Sequence, residues 1–442
     1  MTAPRAVVAG LGNTGVSVVR YLLRRGCQVS VTDSRVAPPG LDELKRMAPG
    51  LRASLGGLDE SLLADADYVV ASPGLPLADP FFVAARRLEV PVIGDIELFA
   101  RSGVGPVVGI TGTNGKSTVT TLVARMAEKA GRATRVGGNL APPALDLLEG
   151  APADLYVLEL SSYQLETTRS LRLAAATVLN VTPDHLDRYA DIGAYAAAKS
   201  RIFDRAAIAV INLDDPLVAA MAAVSPRRVT FSLRADVGAD FCVQGLQGED
   251  WLWSRREPLL RISELRIAGL HNAANALAAL ALGESLGLAR PAMLAALREF
   301  SGLPHRSEWV ADVAGVRYVN DSKGTNVGAT LAAVSGFPGP LLLILGGDGK
   351  NQDFSPLRAA LTGKVRLAML IGRDAPGIAA ALDGVCALQN CASLEEAVIA
   401  AARTAQPGDT VLLSPACASL DMFRDYAHRG TVFADAVRRL AA

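Results

Sequence analysis

The chain has 442 residues, half of them apolar, with 44 lysines and arginines balanced by 44 aspartates and glutamates. That length predicts about three domains of ~150 residues, with enough apolar content for several cores. Zero formal charge argues against nucleic acid or an anionic membrane as partner, no apolar run approaches the ~18 residues of a membrane helix, and five cysteines without metal-ligand spacing suit a reducing cytoplasm.

The first α/β block is residues 1–94. Residues 5–9 and 28–32 read as strands with a helical stretch, 16–25, between them, and 67–71 is a further strand ending at Ser72-Pro73-Gly74. Gly10-Leu11-Gly12-Asn13-Thr14-Gly15 follows the first strand and Asp33 ends the second. That pattern fits a dinucleotide fingerprint with its acidic residue. It fits equally a module for another nucleotide, such as a uridine diphosphate group, and the glycines would also serve close helix–strand packing.

The second block, residues 95–302, opens with an apolar run, 106–110, then Gly112-Thr113-Asn114-Gly115-Lys116-Ser117-Thr118 and a helical pattern. Strand, glycine-rich turn and helix in that order make a phosphate cradle, because backbone N–H groups and the helix N-terminus face one anion. Lys116 can reach the outer phosphates of a nucleotide triphosphate and the Ser117 hydroxyl can ligand Mg²⁺. The spacing departs from the standard form: Ile110 stands where the first glycine is expected, and Gly112 is expected to free the turn instead. Glu159 closes the strand 155–158, where phosphate-loop enzymes place a metal carboxylate. The loop 180–188 gathers His185 with Asp184 and Asp187 at a strand end. Lys199 has no special status from its spacing. Residues 229–267 read as a small antiparallel insertion, and Asn272 and Asn275, one turn apart on the helix 271–286, suit gripping a base or simple capping.

The third block, residues 303–442, has strands at 317–320, 341–345, 368–371 and 410–413. Arg306 sits near its start, either reaching back to a phosphate or lying on the surface. The loops 320–326 and 346–350, carrying Lys323 and Lys350, predict an anionic ligand at adjacent strand ends. Ser419 reads either as the N-cap of a following helix or as part of a carboxylate site.

Gly94-Asp95-Ile96-Glu97-Leu98-Phe99, residues 110–121, Val157-Leu158-Glu159-Leu160-Ser161-Ser162 through Glu166, Leu303-Pro304-His305-Arg306, and residues 320–328, 345–350 and 413–421 together resemble the Mur ligase family in its D-glutamate-adding form. The resemblance covers essentially the whole chain, and the spacing at Ile110 is also that family's form. It implies an α/β protein of three domains: a Rossmann-like UDP-sugar domain (1–94), a central P-loop ATP domain with a mostly parallel sheet and a small antiparallel insertion (95–302), and a Rossmann-like amino-acid domain (303–442). It implies a cytoplasmic monomer that uses ATP and Mg²⁺, as two ions, to join D-glutamate to UDP-N-acetylmuramoyl-L-alanine through an acyl phosphate.

By matching position, the resemblance assigns the UDP-sugar to Asn13, Thr14, Ser34, Arg35, Ser72, Pro73, Gly74 and Asn139. It assigns ATP to residues 112–118 with Asn272, Asn275, Arg306 and Asp321, and D-glutamate to Lys323, Thr325, Lys350, Ser419, Leu420 and Tyr426. Ser117, Glu159, His185 and a carbamylated Lys199 would hold metal, and Lys116, His185, Lys199 and Arg306 would carry the chemistry. The chain departs from the family pattern at Asn13, where an apolar residue is expected, at Tyr426, where phenylalanine is usual, and at Leu140-Ala141 after Asn139, where isoleucine and glycine are expected. The alternatives are a sister ligase or folylpolyglutamate-type ligase adding another amino acid, a nucleotide-binding scaffold without ligase activity, and an NAD-dependent oxidoreductase.

Overall fold

Short apolar strands alternating with helical stretches build three sheets. The computed structural model describes residues 3–185, 188–221, 227–255, 257–267, 269–337 and 339–441, so residues 186 and 187 of the polar loop lie outside the described residues. The first sheet has β1 (Arg5–Ala9), β2 (Gln28–Asp33), β3 (Arg52–Leu55), β4 (Tyr68–Ala71) and β5 (Val92–Ile93) in the order β3-β2-β1-β4-β5, all parallel. The helix after β1 starts at Asn13, three residues earlier than its apolar periodicity suggests.

The second sheet has β6 (Val107–Thr111), β7 (Thr134–Gly138), β8 (Leu155–Glu159), β9 (Ala175–Val178), β10 (Ala209–Asn212), β11 (Arg228–Ser232), β12 (Phe241–Leu246), β13 (Glu249–Ser254) and β14 (Glu257–Arg261). Its order is β14-β13-β12-β11-β10-β9-β6-β8-β7. The β12–β13–β14 pairs are antiparallel, but β12 joins β11 in parallel, so the expected insertion prolongs the central sheet. The third sheet has β15 (Glu308–Val313), β16 (Val316–Asn320), β17 (Leu341–Gly346), β18 (Val365–Ile371), β19 (Ala387–Asn390) and β20 (Thr410–Leu413) in the order β15-β16-β20-β17-β18-β19. Only its edge strand β15 is antiparallel to its neighbour.

The central strands are apolar along most of their length because helices cover both sheet faces, and several end in a polar residue such as Thr111, Glu159 or Asn212. Along β17, Leu341, Leu343 and Leu345 enter one core while Leu342 and Ile344 enter the other. Along β1, Ala6 and Val8 divide in the same way from Val7 and Ala9. Burying each of the larger side chains contributes about 1.5–3 kcal/mol. One core runs from Val8 and Val19 through Ile96 and Phe99 to Tyr156 and Ile211, so the first two sheets share packed side chains. Parallel strands bring their C-terminal ends to one edge, and the polar loops gather there.

Candidate functional site

The phosphate loop leaves β6 after Thr111. Ile110 is a fully buried strand residue, so the turn begins only at Gly112, which explains the displaced glycine. Gly112 and Gly115 have φ of 148° and 83°, and a Cβ on Gly115 would stand 2.4 Å from Asn275 Oδ1. The loop is clamped from the end of β9. The Asn114 amide donates to Asn180 Oδ1 at 2.8 Å, Asn180 Nδ2 donates to the Asn114 carbonyl at 3.1 Å, and the Thr182 amide donates to Thr113 Oγ1 at 3.0 Å. Lys116 opens the helix Lys116–Lys129 and its Nζ donates to the carbonyls of Gly112 and Thr113, each at 2.9 Å. Arg306, 189 residues away in sequence, donates from Nη2 to Ser117 Oγ at 2.7 Å. Asn114, Gly115, Thr118, Asn272, Asn275, Arg306, Asp321 and Lys323 line one cavity of about 270 Å³ between the second and third sheets. Asn275 Nδ2 donates to Asn272 Oδ1 at 3.1 Å, so the asparagine pair is joined side by side.

Behind the loop, Lys199 is 1 % exposed, with Nζ 3.0 Å from the Gly112 carbonyl and 4.3 Å from the centre of the Tyr195 ring. Burial, aided by the charge of Lys116, pulls this amine well below the ordinary lysine value. Glu159 is buried at the end of β8. Its Oε1 accepts from Asn139 Nδ2 at 2.6 Å, while its buried Oε2 has no partner among the described residues. His185, at φ 56°, lies edge-on to Tyr163 and Tyr195. Burial lowers its pKa against the opposing charge of Asp184, favouring neutral imidazole. Lys116 is lowered by burial and then by Arg306, and Lys323 by burial and then by Arg306 and Lys116, to about 8. These desolvated cations disfavour one another, which is the electrostatic condition that a bound polyanion relieves. Burial pushes Asp321 up to about 6, against its hydrogen bonds from Ser414 and the Ser307 amide.

From the third sheet, Lys323 Nζ lies 3.8 Å over the Tyr426 ring, and Lys350 Nζ is 4.0 Å from Asp184 Oδ1. Thr325 lies in the same turn, its amide donating to the Lys323 carbonyl at 2.8 Å. Ser419 is buried but does not cap a helix: the next helix starts at Tyr426, because residues 419–425 form turns and bends. Leu420 is 72 % exposed and is not brought to the cavity.

In the first sheet, the helix Asn13–Arg24 starts with no side-chain cap, leaving the turn before Asn13 and Thr14 suited to an anion. A Cβ on Gly15 would stand 2.0 Å from the Gly10 carbonyl, so the close packing of helix and strand requires this glycine. Asp33 is fully engaged. Oδ2 accepts from the Leu11 amide and Arg35 Nη2, each at 2.7 Å, and Oδ1 from the Arg35 amide at 2.8 Å and Arg35 Nε at 2.9 Å. Burial alone would raise its pKa, but the bonds from Arg35 and Leu11 hold it down to about 2. A carboxylate occupied in this way is poorly placed to bind a ribose, which weighs against the NAD alternative. Ser34 is exposed beside Arg35, and Ser72–Gly74 lies at the end of β4, with Ser72 against Gly10. Asn139 is held at the end of β8 in the second sheet, its amide donating to the Glu159 carbonyl at 2.8 Å and its Nδ2 to Glu159 Oε1.

Two residues with no assigned role in the sequence connect these parts. Asn326 Nδ2 donates to Asp184 Oδ2 at 3.1 Å and approaches Asn114 Oδ1 at 3.4 Å, linking the third sheet to both central loops. Arg188 donates to the carbonyls of Pro73 and Leu75, each at 2.9 Å, and stacks 3.8 Å over Tyr163, joining the first unit to the His185 loop. Their only sequence signal is a position in polar loops after strands.

Comparison with known proteins matches the Mur ligase MurD-like N-terminal domain at residues 4–94, the Mur ligase middle domain at 110–283 and the Mur ligase glutamate ligase domain at 305–417. The chain is 52 % identical over 442 residues to UDP-N-acetylmuramoylalanine--D-glutamate ligase of Nitrosococcus oceani, spanning 99 % of this chain and 97 % of that one. It is 49 % identical over 438 residues to the protein of the same name from Salmonella paratyphi A, spanning 98 % of each. Among solved structures, UDP-N-acetylmuramate-alanine ligase MurC of Thermotoga maritima superposes with a TM-score of 0.63 at 19 % identity, over 99 % of this chain and 100 % of that one. MurF ligase of Thermotoga maritima in complex with ADP gives 0.61 at 17 % identity, over 99 % and 96 %. These two show the shared fold, and the full-length identities go further: the chain belongs to the Mur ligase family.

Proposed function

We propose that the chain is an ATP-dependent, amide-forming ligase that adds D-glutamate to UDP-N-acetylmuramoyl-L-alanine, a step of peptidoglycan precursor synthesis, as a cytoplasmic monomer. The observation that carries this reading is the phosphate loop whose Ser117 is met by Arg306 from the third sheet, in a chain about half identical over its length to ligases of that name. In this reading residues 1–94 hold the UDP-sugar, 95–302 the ATP and 303–442 the amino acid. The Lys323 and Lys350 loops suit an acidic amino acid.

The alanine carboxylate attacks the γ-phosphorus of ATP, forming a carboxyl–phosphate bond while the bond to ADP breaks. Charge gathers on the transferred group, and Lys116 and Arg306 offset it from opposite sides of the cleft. The amine of D-glutamate then attacks the acyl carbon, the amide forms, phosphate leaves with the bonding electrons, and the amine loses its proton. The acyl phosphate must be kept from water, and the Arg306–Ser117 and Asn326–Asp184 bonds hold the third unit against the second to do so.

Magnesium fits the residues present: Glu159 offers a buried oxygen without a protein partner, His185 a ring that burial keeps neutral, and Ser117 a hydroxyl. Lys199 joins this set once its desolvated neutral amine has added to carbon dioxide and lost a proton, turning a neutral amine into a carbamate anion. Glu159, His185, Ser117 and carbamylated Lys199 would hold Mg²⁺, as two ions, which when bound neutralise phosphate charge. The test is phosphate release from ATP with UDP-N-acetylmuramoyl-L-alanine and a panel of amino acids. Release stimulated by D-glutamate and not by L-glutamate is expected; stimulation by a different amino acid alone would replace the substrate assignment, and none at all would defeat the ligase reading.

A further inference from the structure

The helix Tyr426–Ala441 carries Arg429, whose side chain is completely buried. All five of its hydrogen bonds go to neutral oxygens. Nε donates to Ser322 Oγ at 3.0 Å, Nη2 to the carbonyls of Ser322 at 2.8 Å and Cys417 at 3.1 Å, and Nη1 to those of Gly346 and Ala418, each at 3.4 Å. These acceptors lie at or just beyond the C-terminal ends of β16, β17 and β20. The loops that follow carry Lys323 and Thr325, Lys350, and Ser419. One guanidinium therefore ties together the three loops to which the acidic amino acid is assigned. Ser322 Oγ in turn donates to the Tyr426 carbonyl at 2.8 Å, bringing in the residue whose ring lies over Lys323.

The planar fork matters. Its N–H groups diverge in fixed directions and reach three separate strands at once, which a lysine ammonium cannot do. The charge matters as well. Among the described residues no carboxylate pairs directly with Arg429, and Asp321 and Asp421 act on it only across space. Burial lowers it to about 10, so it stays cationic at neutral pH. A buried cation without a direct counter-ion is costly to a fold, and a dicarboxylate ligand next to it offsets that cost.

We propose that Arg429 is a positioning residue for the amino-acid substrate: it fixes the relative placement of the Lys323, Lys350 and Ser419 loops and supplies a fixed positive charge to the pocket they form. This rests on the ligase reading above. Wild-type release of phosphate in response to D-glutamate is therefore measured first, and its absence defeats that reading before Arg429 is at issue. With wild type active, Arg429→Lys is expected to raise KM for D-glutamate by about tenfold or more while KM for ATP and for the UDP-sugar stays within about twofold. Ser322→Ala, which removes one acceptor and leaves the charge in place, is expected to raise the same KM a few-fold with little change in thermal midpoint. A purely structural arginine would instead lower turnover for all substrates together. Unchanged KM for D-glutamate in Arg429→Lys, or parallel shifts in all three KM values, overturns the proposal. Should Arg429→Lys not fold, an unchanged KM for D-glutamate in Ser322→Ala does the same.

Discussion

The chain contains two strand–turn–helix cradles, at residues 9–15 and 111–117, built to one plan and put to different work. In both, a glycine admits close packing and the helix start has no side-chain cap. In the central cradle a lysine follows the last glycine, and an arginine from another sheet reaches the hydroxyl after it. In the first cradle there is no such cation. Its neighbouring carboxylate, Asp33, is spent on the Leu11 amide and Arg35, so that Arg35 becomes the charged group that is displayed, half exposed, at the turn. The comparison teaches that a glycine-rich turn sets where an anion is held, while the side chains that surround it set which anion and what happens to it.

The largest effect is expected where that difference is removed. Lys116→Ala leaves the turn but takes away the cation, and should lower ATP-dependent phosphate release by at least ~10³-fold with thermal stability near that of wild type; activity within tenfold of wild type would make the two cradles equivalent. Gly15→Ala attacks the first cradle's packing. Its Cβ would sit 2.0 Å from the Gly10 carbonyl, and a loss of ~3 kcal/mol is expected from this overpacking, read by chemical denaturation. Asp33→Asn frees Arg35 from a full ion pair and should raise KM for the UDP-sugar about tenfold with KM for ATP unchanged. Tight NADH binding by the wild type, followed by fluorescence, would instead return the first cradle to a dinucleotide role.

The smallest effect concerns pH. Burial pushes Asp95, at the junction of the first and second units, up to about 6 from 3.8, in spite of its hydrogen bond from Gln164. The folded protein thus binds this proton more tightly than the unfolded chain does. Its contribution to stability is fully present below 3.8 and is lost as pH rises through about 6, so this group favours the fold as pH falls from 7 toward 4, as the equally raised Asp321 does, while His185 and His271, lowered by burial, act the other way. Asp33 has the opposite sign: its contribution is present above 3.8 and is lost toward pH 2, so it adds no slope in the first window. Asp95→Asn, which removes the charge, should take away the Asp95 share of the pH dependence relative to wild type and raise stability at pH 7 by ~1–2 kcal/mol; a pH dependence identical to wild type would remove Asp95 from this account.

Much of the fold is written locally. The runs at β6, β8 and β17 are apolar up to their last residue and announce strands buried on both faces. The strands not read from sequence, β3, β5, β7, β15 and β19, are mostly short or half exposed, and most lie at or next to a sheet edge, where neighbours on one face impose little pattern. The β12–β14 segment was legible as antiparallel, but its parallel join to β11 was not, because no local pattern encodes which edge a strand finds. The same holds for Asn326 and Arg188, ordinary loop residues until two sheets meet.

The sequence by itself determined the phosphate loop, its displaced glycine, the polar strand ends and the likeness to the Mur ligases, because periodicity, turn chemistry and motif spacing are properties of neighbouring residues. Only the tertiary structure decided that Asp33 is saturated, that Lys199 is desolvated, that Arg306 lies on Ser117 and that Arg429 underlies three loops. Each of these depends on distance, burial and charge between residues far apart in the chain, and those quantities exist only once the sheets have packed.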